Sequence, residues 1–137
     1  MIIRLFLALL GFISLTACQQ FNMTPNASPN ASVKDLCQTI AAVEAGNATK
    51  EAAEIALAEL RSRSAFTDDD LQSIAKGIVR IGMTDEAGLC AAGYYWYDVN
   101  ETVTAGSTRR QYVMGDGNYN PRWYLYTENG VVTAIQR

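Results

Sequence analysis

The spacing of apolar residues along the chain changes character near Gly93, and that change separates a helical part from a strand-forming part. Ser32 and Asp35, three residues apart, read as a capping box, and Leu36, Cys37, Ile40 and Val43 behind them recur at helical spacing until Gly46-Asn47 breaks the pattern. A second helix is expected over Lys50 to Arg63, rich in alanine, with Ile55, Leu57 and Leu60 as its apolar positions and Glu59 and Arg63 placed for an i,i+4 ion pair. The two form a helical hairpin. Thr67 and the acids Asp68, Asp69 and Asp70 open a third helix with Leu71, Ile74, Ala75 and Ile78 on one side. Thr84 caps a short fourth one, with Asp85 and Glu86 in its first turn and Gly93 as its left-handed terminator.

Beyond Gly93, Trp and Tyr gather, Thr and Val become frequent, and turn residues interrupt the chain at intervals that suit strands. Strands are expected near Trp96 to Thr102, Thr108 to Met114, Arg122 to Thr127 and Val131 to Gln136, with Gly115 to Asn118 as a turn. Asn129-Gly130 supplies the two positive φ angles of a two-residue hairpin. A regular ladder from that turn sets Thr127 against Val132, Tyr126 against Thr133, Leu125 against Ala134, Tyr124 against Ile135 and Trp123 against Gln136. Large apolar groups then stand on both faces. One face covers the helices, and the other leaves aromatic rings accessible unless the helical hairpin folds over it. The fold class expected is α+β: a helical hairpin, then two helices on a small antiparallel sheet of three or four strands.

The amino terminus changes the picture. Met1 to Ala17 carries one positive charge, Arg4, and then an apolar run from Leu5 to Leu15, the pattern of a secretory signal sequence and shorter than a membrane-crossing helix requires. Leu15-Thr16-Ala17-Cys18 looks like the lipobox of bacterial lipoproteins. That resemblance implies a diacylglyceryl group on the Cys18 thiol, cleavage before it, and an acyl chain on the new amino group. Several acyl chains, at about 0.8 kcal/mol per buried methylene, anchor a protein almost permanently. Gln19 stands where an aspartate would signal inner-membrane retention, which implies sorting to the outer membrane and a domain facing the periplasm. Residues 18–32 are polar and contain the tandem repeat Pro25-Asn26-Ala27-Ser28 and Pro29-Asn30-Ala31-Ser32, so they are expected to form a disordered tether between the anchor and the folded part. The expected organisation is leader 1–17, tether 18–32, helical hairpin 33–66 and α+β domain 67–137.

The chemistry available is limited. A chain of 137 residues has room for one domain of ordinary size, and its 49% hydrophobic composition is that of a folded protein. It contains no histidine, which removes the commonest general base and most transition-metal sites. With a net charge of -3 and scattered Lys and Arg, nucleic acid is not an expected partner. The three aspartates at 68–70 neutralise a helix start rather than complete a metal shell, so no metal site is expected. Asp98, Glu101, Asp116 and Glu128 fall on strand ends or turns, where solvated acids are routine, so no catalytic residue is assigned. With Cys18 lipidated, Cys37 and Cys90 remain. In an oxidising compartment they are either bridged, which would staple the first helix to the fourth, or packed separately as small buried thiols.

From Asp69 to Gln136 the chain resembles the SmpA/OmlA (BamE-like) outer-membrane lipoproteins. The resemblance is carried by Ile78-Val79-Arg80-Ile81-Gly82-Met83-Thr84, Gly93, Gln111-Tyr112-Val113, Tyr124-Leu125-Tyr126 and Asn129-Gly130-Val131-Val132-Thr133-Ala134-Ile135. It implies two helices packed on one face of a small antiparallel sheet, a fold also similar to that of β-lactamase-inhibitor proteins. It further implies a non-catalytic role in assembly or maintenance of the outer membrane, without a cofactor other than the lipid on Cys18. The partner-binding residues expected on that reading are Tyr94, Tyr95, Tyr124 and Tyr126, presented to an envelope protein or a lipid headgroup. Trp96 and Tyr97 are expected to fill the core where helices meet sheet. An alternative use of the same aromatic sheet face is as a periplasmic binding or enzyme-inhibitor module.

Overall fold

The computed structural model describes residues 23, 24, 26–115 and 121–137. The leader, Cys18 and most of the Gly115 to Asn118 turn therefore lie outside the described residues. The described chain is α+β, with helices α1 (Val33–Ala41), α2 (Lys50–Ser62), α3 (Asp68–Ala75) and α4 (Asp85–Ala91) followed by strands β1 (Trp96–Thr104), β2 (Ser107–Gly115), β3 (Pro121–Glu128) and β4 (Val131–Gln136). The strands form one antiparallel sheet in the order β1-β2-β3-β4. Among the described residues no helix is long and apolar enough to cross a membrane.

Local chemistry accounts for the helix ends. Ser32, Thr49, Thr67 and Thr84 each accept a hydrogen bond from the backbone N–H three residues on, and Ser32 and Asp35 form the full capping box. Gly77 and Gly93, at φ +63° and +68°, end α3 and α4 in the left-handed conformation. Gly77 stops α3 before Ile78, which is half-exposed instead of continuing the helical stripe. In α2 the buried stripe is Ala52, Ala53, Ala56 and Leu60, and Ile55 is only partly covered. The small side chains let α1 pack closely along it.

Helix α4 is the centre of the molecule. Ala87, Gly88, Leu89, Cys90 and Ala91 are all buried, because α4 lies between the sheet on one side and α1 and α3 on the other. Cys37 on α1 is disulfide-bonded to Cys90 on α4. Leu125 and Val132 reach the helices from β3 and β4, and Tyr112 and Met114 from β2. The helical hairpin thus joins the layer that α3 and α4 form, and it does not fold over the far face of the sheet.

The hairpin register departs from a regular ladder. Thr127 pairs with Val132 as expected, but Tyr126 then pairs with Ala134, Leu125 with Ile135 and Tyr124 with Gln136, because Thr133 is an extra residue in β4. Val132 and Ile135 are three apart and would point to opposite faces of a regular strand. The bulge puts both against the core. The Val132 backbone, in the non-hydrogen-bonded pair behind the turn, faces away from β3 and has another partner: Val132 N–H donates to Met83 O, and Gly82 N–H to Val132 O, both at 2.8 Å. Thr84 bridges Val131, and Asp85 N–H donates to Gly130 O at 2.8 Å. The Gly82-Met83-Thr84 segment therefore covers the outer edge of β4 at Val131 and Val132.

The tether expected over 18–32 is ordered at its carboxy-terminal end. Ser28–Asn30 form a 3₁₀ turn with Ser28 buried. Arg63 at the end of α2 donates to the carbonyls of Ser28, Pro29 and Ala31 at 2.7, 3.1 and 2.8 Å, while its Nε donates to Glu59 at 2.7 Å. A polar, low-hydrophobicity sequence orders here because a guanidinium fork offers several donors to backbone groups at once.

Candidate functional site

Alternation along the strands assigns each side chain to the helix-covered face or to the open face. Gln111, Val113, Tyr124 and Tyr126 lie on the open face together with Asp98, Asn100 and Thr102 of β1. Tyr124 and Tyr126 are half-buried, with ring centroids 6.5 Å apart. The polar groups of this face are bound to one another. Asn100 Nδ2 donates to Gln111 Oε1 at 3.2 Å, Gln111 Nε2 to the Tyr126 hydroxyl at 2.9 Å, and that hydroxyl to Gln136 Oε1 at 2.7 Å, a row spanning all four strands. At its end Glu128 accepts from Ser107 and Arg109, and these two bonds, the serine's first, hold its carboxyl below the usual range. The open face is therefore a largely polar, hydrogen-bonded surface. A shallow groove of about 420 Å³ crosses it beside Arg109, Gln111, Tyr126 and Glu128.

Tyr94 and Tyr95 lie elsewhere, at the junction of α4 and β1. Of the four expected partner-binding tyrosines, the structure brings together only the pairs. Tyr94 adopts φ +56°, a conformation that costs an ordinary side chain about 1–2 kcal/mol. It packs half-buried against the core, near Asp85, Glu86 and Tyr112. Burial first, then those two acids, push its hydroxyl up to about 12. Tyr95 is 44% exposed and, with Lys34, Gln38 and Trp96, lines a cleft of about 410 Å³.

The raised Tyr94 pKa has a measurable consequence. Below pH 10 the phenol is neutral in both folded and unfolded chains; between pH 10 and about 12 the unfolded chain loses its proton first, so stability falls over that window. Urea unfolding across it should show a decline that is shallower in Tyr94→Phe. An unchanged decline would mean that another group dominates the alkaline limb.

Trp96 does not fill the core. It is 39% exposed and stands edge-on to Tyr112, with centroids 6.0 Å apart. An irregularity in β1 between Trp96 and Asp98 puts Trp96 opposite Met114 on the helix-covered side and Asp98 opposite Val113 on the open one. Two features had no strong signal in the sequence. One is the pair Val99 and Val103, on the helix-covered side of β1 yet 37% and 67% exposed, because the helix layer reaches β4 and stops short of β1. The other is an ion cluster: Arg110 donates to Asp85 at 3.0 Å and Glu101 at 2.6 Å, and the Tyr112 hydroxyl donates to Asp85 at 3.0 Å. The acid read as a helix-start charge is thus also the tie between α4 and the sheet.

Among the described residues no group of three or more His, Cys, Asp or Glu is arranged to hold a metal ion. Comparison of the chain with protein-family models, curated proteins and solved structures finds no match.

Proposed function

We propose that this protein is a lipid-anchored outer-membrane lipoprotein that acts without catalysis, as a scaffold or accessory in cell-envelope or outer-membrane assembly. The observation that carries the reading is the pairing of Cys37 with Cys90. A buried bridge suits a chain that matures in an oxidising compartment, and of the three cysteines it leaves Cys18, directly behind Leu15-Thr16-Ala17. An α+β domain on a tether whose last turn is gripped by Arg63 suits presentation of surfaces close to a bilayer. The resemblance to BamE-like lipoproteins supports the same role.

Intact-mass measurement of the protein from membranes tests this. The expected mass is that of the chain from Cys18 plus a diacylglyceryl and an acyl group, and Cys18→Ser should remove the adduct and release the protein from the membrane fraction. A chain that keeps Met1, or one found in the soluble fraction without adduct, overturns the proposal. The hydrogen-bonded row from Asn100 to Gln136 favours a second reading, a binding or inhibitor module that uses the open face. It is distinguished by one-to-one binding to a soluble periplasmic enzyme that survives Cys18→Ser.

A further inference from the structure

We infer that the outer edge of β1 is a strand-addition site for an extended segment of a protein partner that carries Lys or Arg between apolar residues on one of its two faces. The two edges of the sheet are treated differently. That of β4 is covered at Val131 and Val132 by Gly82, Met83 and Thr84 through backbone bonds. That of β1 has, among the described residues, no neighbour but β2 on its other side. In an antiparallel strand alternate residues turn their N–H outward. The Val99 N–H is met at 2.9 Å by the carboxylate of its neighbour Asp98, which places residues 99, 101 and 103 in the outward set. Asp98 occupies the first outward donor, and Glu101 and Val103 present the next two to solvent. An unpaired row of this kind is a template for another strand.

Side chains define what fits. Trp96, Val99 and Val103 form an exposed apolar strip on one side of this edge, where an added strand would bury its own apolar residues. On the strip's own side of the sheet Glu101 lies between Val99 and Val103 and, with Asp85, shares the cation Arg110, while Lys34 stands at the Trp96 end. The middle of the strip, with two acids on one guanidinium, is therefore acidic, and β1 carries no Lys or Arg of its own. A second copy of β1 would set acids against acids, which cross-strand pairing disfavours. A strand that sets Lys or Arg between apolar residues on the one face it shares with the strip, so that the base meets Glu101 and the apolar residues meet Val99 and Val103, satisfies both the charge and the strip. This inference takes the protein to be a docking scaffold but does not involve the lipid, so its failure and that of Cys18 acylation are separate results.

The test uses the purified full protein in mild detergent and a synthetic peptide, Val-Thr-Lys-Thr-Val-Thr-Lys-Thr-Val, whose Val and Lys share one face, with a Glu-for-Lys version as control. The Lys peptide should bind and slow amide exchange at Glu101 and Val103, and the Glu peptide should bind at least about tenfold more weakly. Val103→Pro removes an outward donor without touching the ladder to β2, so thermal stability should hold while affinity for the Lys peptide falls about tenfold or more. If that variant misfolds, Val99→Lys with Val103→Lys serves instead, deleting the strip and reversing the charge, with the same loss expected. No binding at millimolar peptide, equal binding of both peptides, or protection centred on Gln111 and Tyr126 overturns the inference.

Discussion

A Cys37→Ala/Cys90→Ala variant is expected to unfold on the order of 15 °C below the parent, a loss of roughly 4 kcal/mol from the closed-loop entropy of a bridge spanning 53 residues. The loss is this large because the bridge closes most of the helical half, so the open chain gains the freedom of α1, α2 and α3 together. It is also the bridge that holds α1 against α4, since Leu36, Cys37 and Ile40 enter the core through that contact. Urea unfolding of the parent with and without reductant checks the value and separates the bridge from any cavity the alanines leave. A change below about 1 kcal/mol in the reduced parent would mean that the hairpin is held by packing alone, outside the range measured for native bridges of this kind.

Gly88→Val is expected to cost about 3 kcal/mol, with the opposite sign to the usual effect of removing a helix-interior glycine. A Cβ placed on Gly88 would stand 2.8 Å from Cγ2 of Val132, and 3.6 and 3.7 Å from Leu125 and Val79 side-chain carbons. Val132 is 1% exposed and β-branched, so its methyl has nowhere to turn. Glycine at this position is what lets α4 approach the sheet. Adding Val132→Ala to the variant removes the methyl that clashes, and the double variant should recover part of the loss. Chemical denaturation of both single variants and the double one measures that coupling. Strict additivity would place the cost elsewhere than in this contact.

How much was legible follows the range of the interactions concerned. Ser32, Thr67 and Thr84 could be read as caps, and Asn129-Gly130 as a two-residue turn, because a cap or turn involves atoms within a few residues of each other. Strand and helix order followed from period, and the resulting α+β class is the one observed. The candidate site was legible only in part. Tyr124 and Tyr126 belong to one face, as the alternation requires, but their separation from Tyr94 and Tyr95 is a matter of which side α4 covers. Trp96 read as core because an aromatic next to a helix end usually is. It lies exposed because the helix layer stops short of β1.

By itself, then, the sequence determined the four helices and four strands, their order, three of the helix caps and the type of the last turn, since each depends on neighbours along the chain. It also narrowed the cysteine chemistry to a bridge or two separate thiols. Only the tertiary structure decided that the thiols meet, that Thr133 is a bulge, that Arg63 gathers the repeat, that Gly82 to Thr84 close one sheet edge and that β1 is left open. These depend on groups brought together from distant parts of the chain, where a pattern of period says which face is apolar but not what will lie against it.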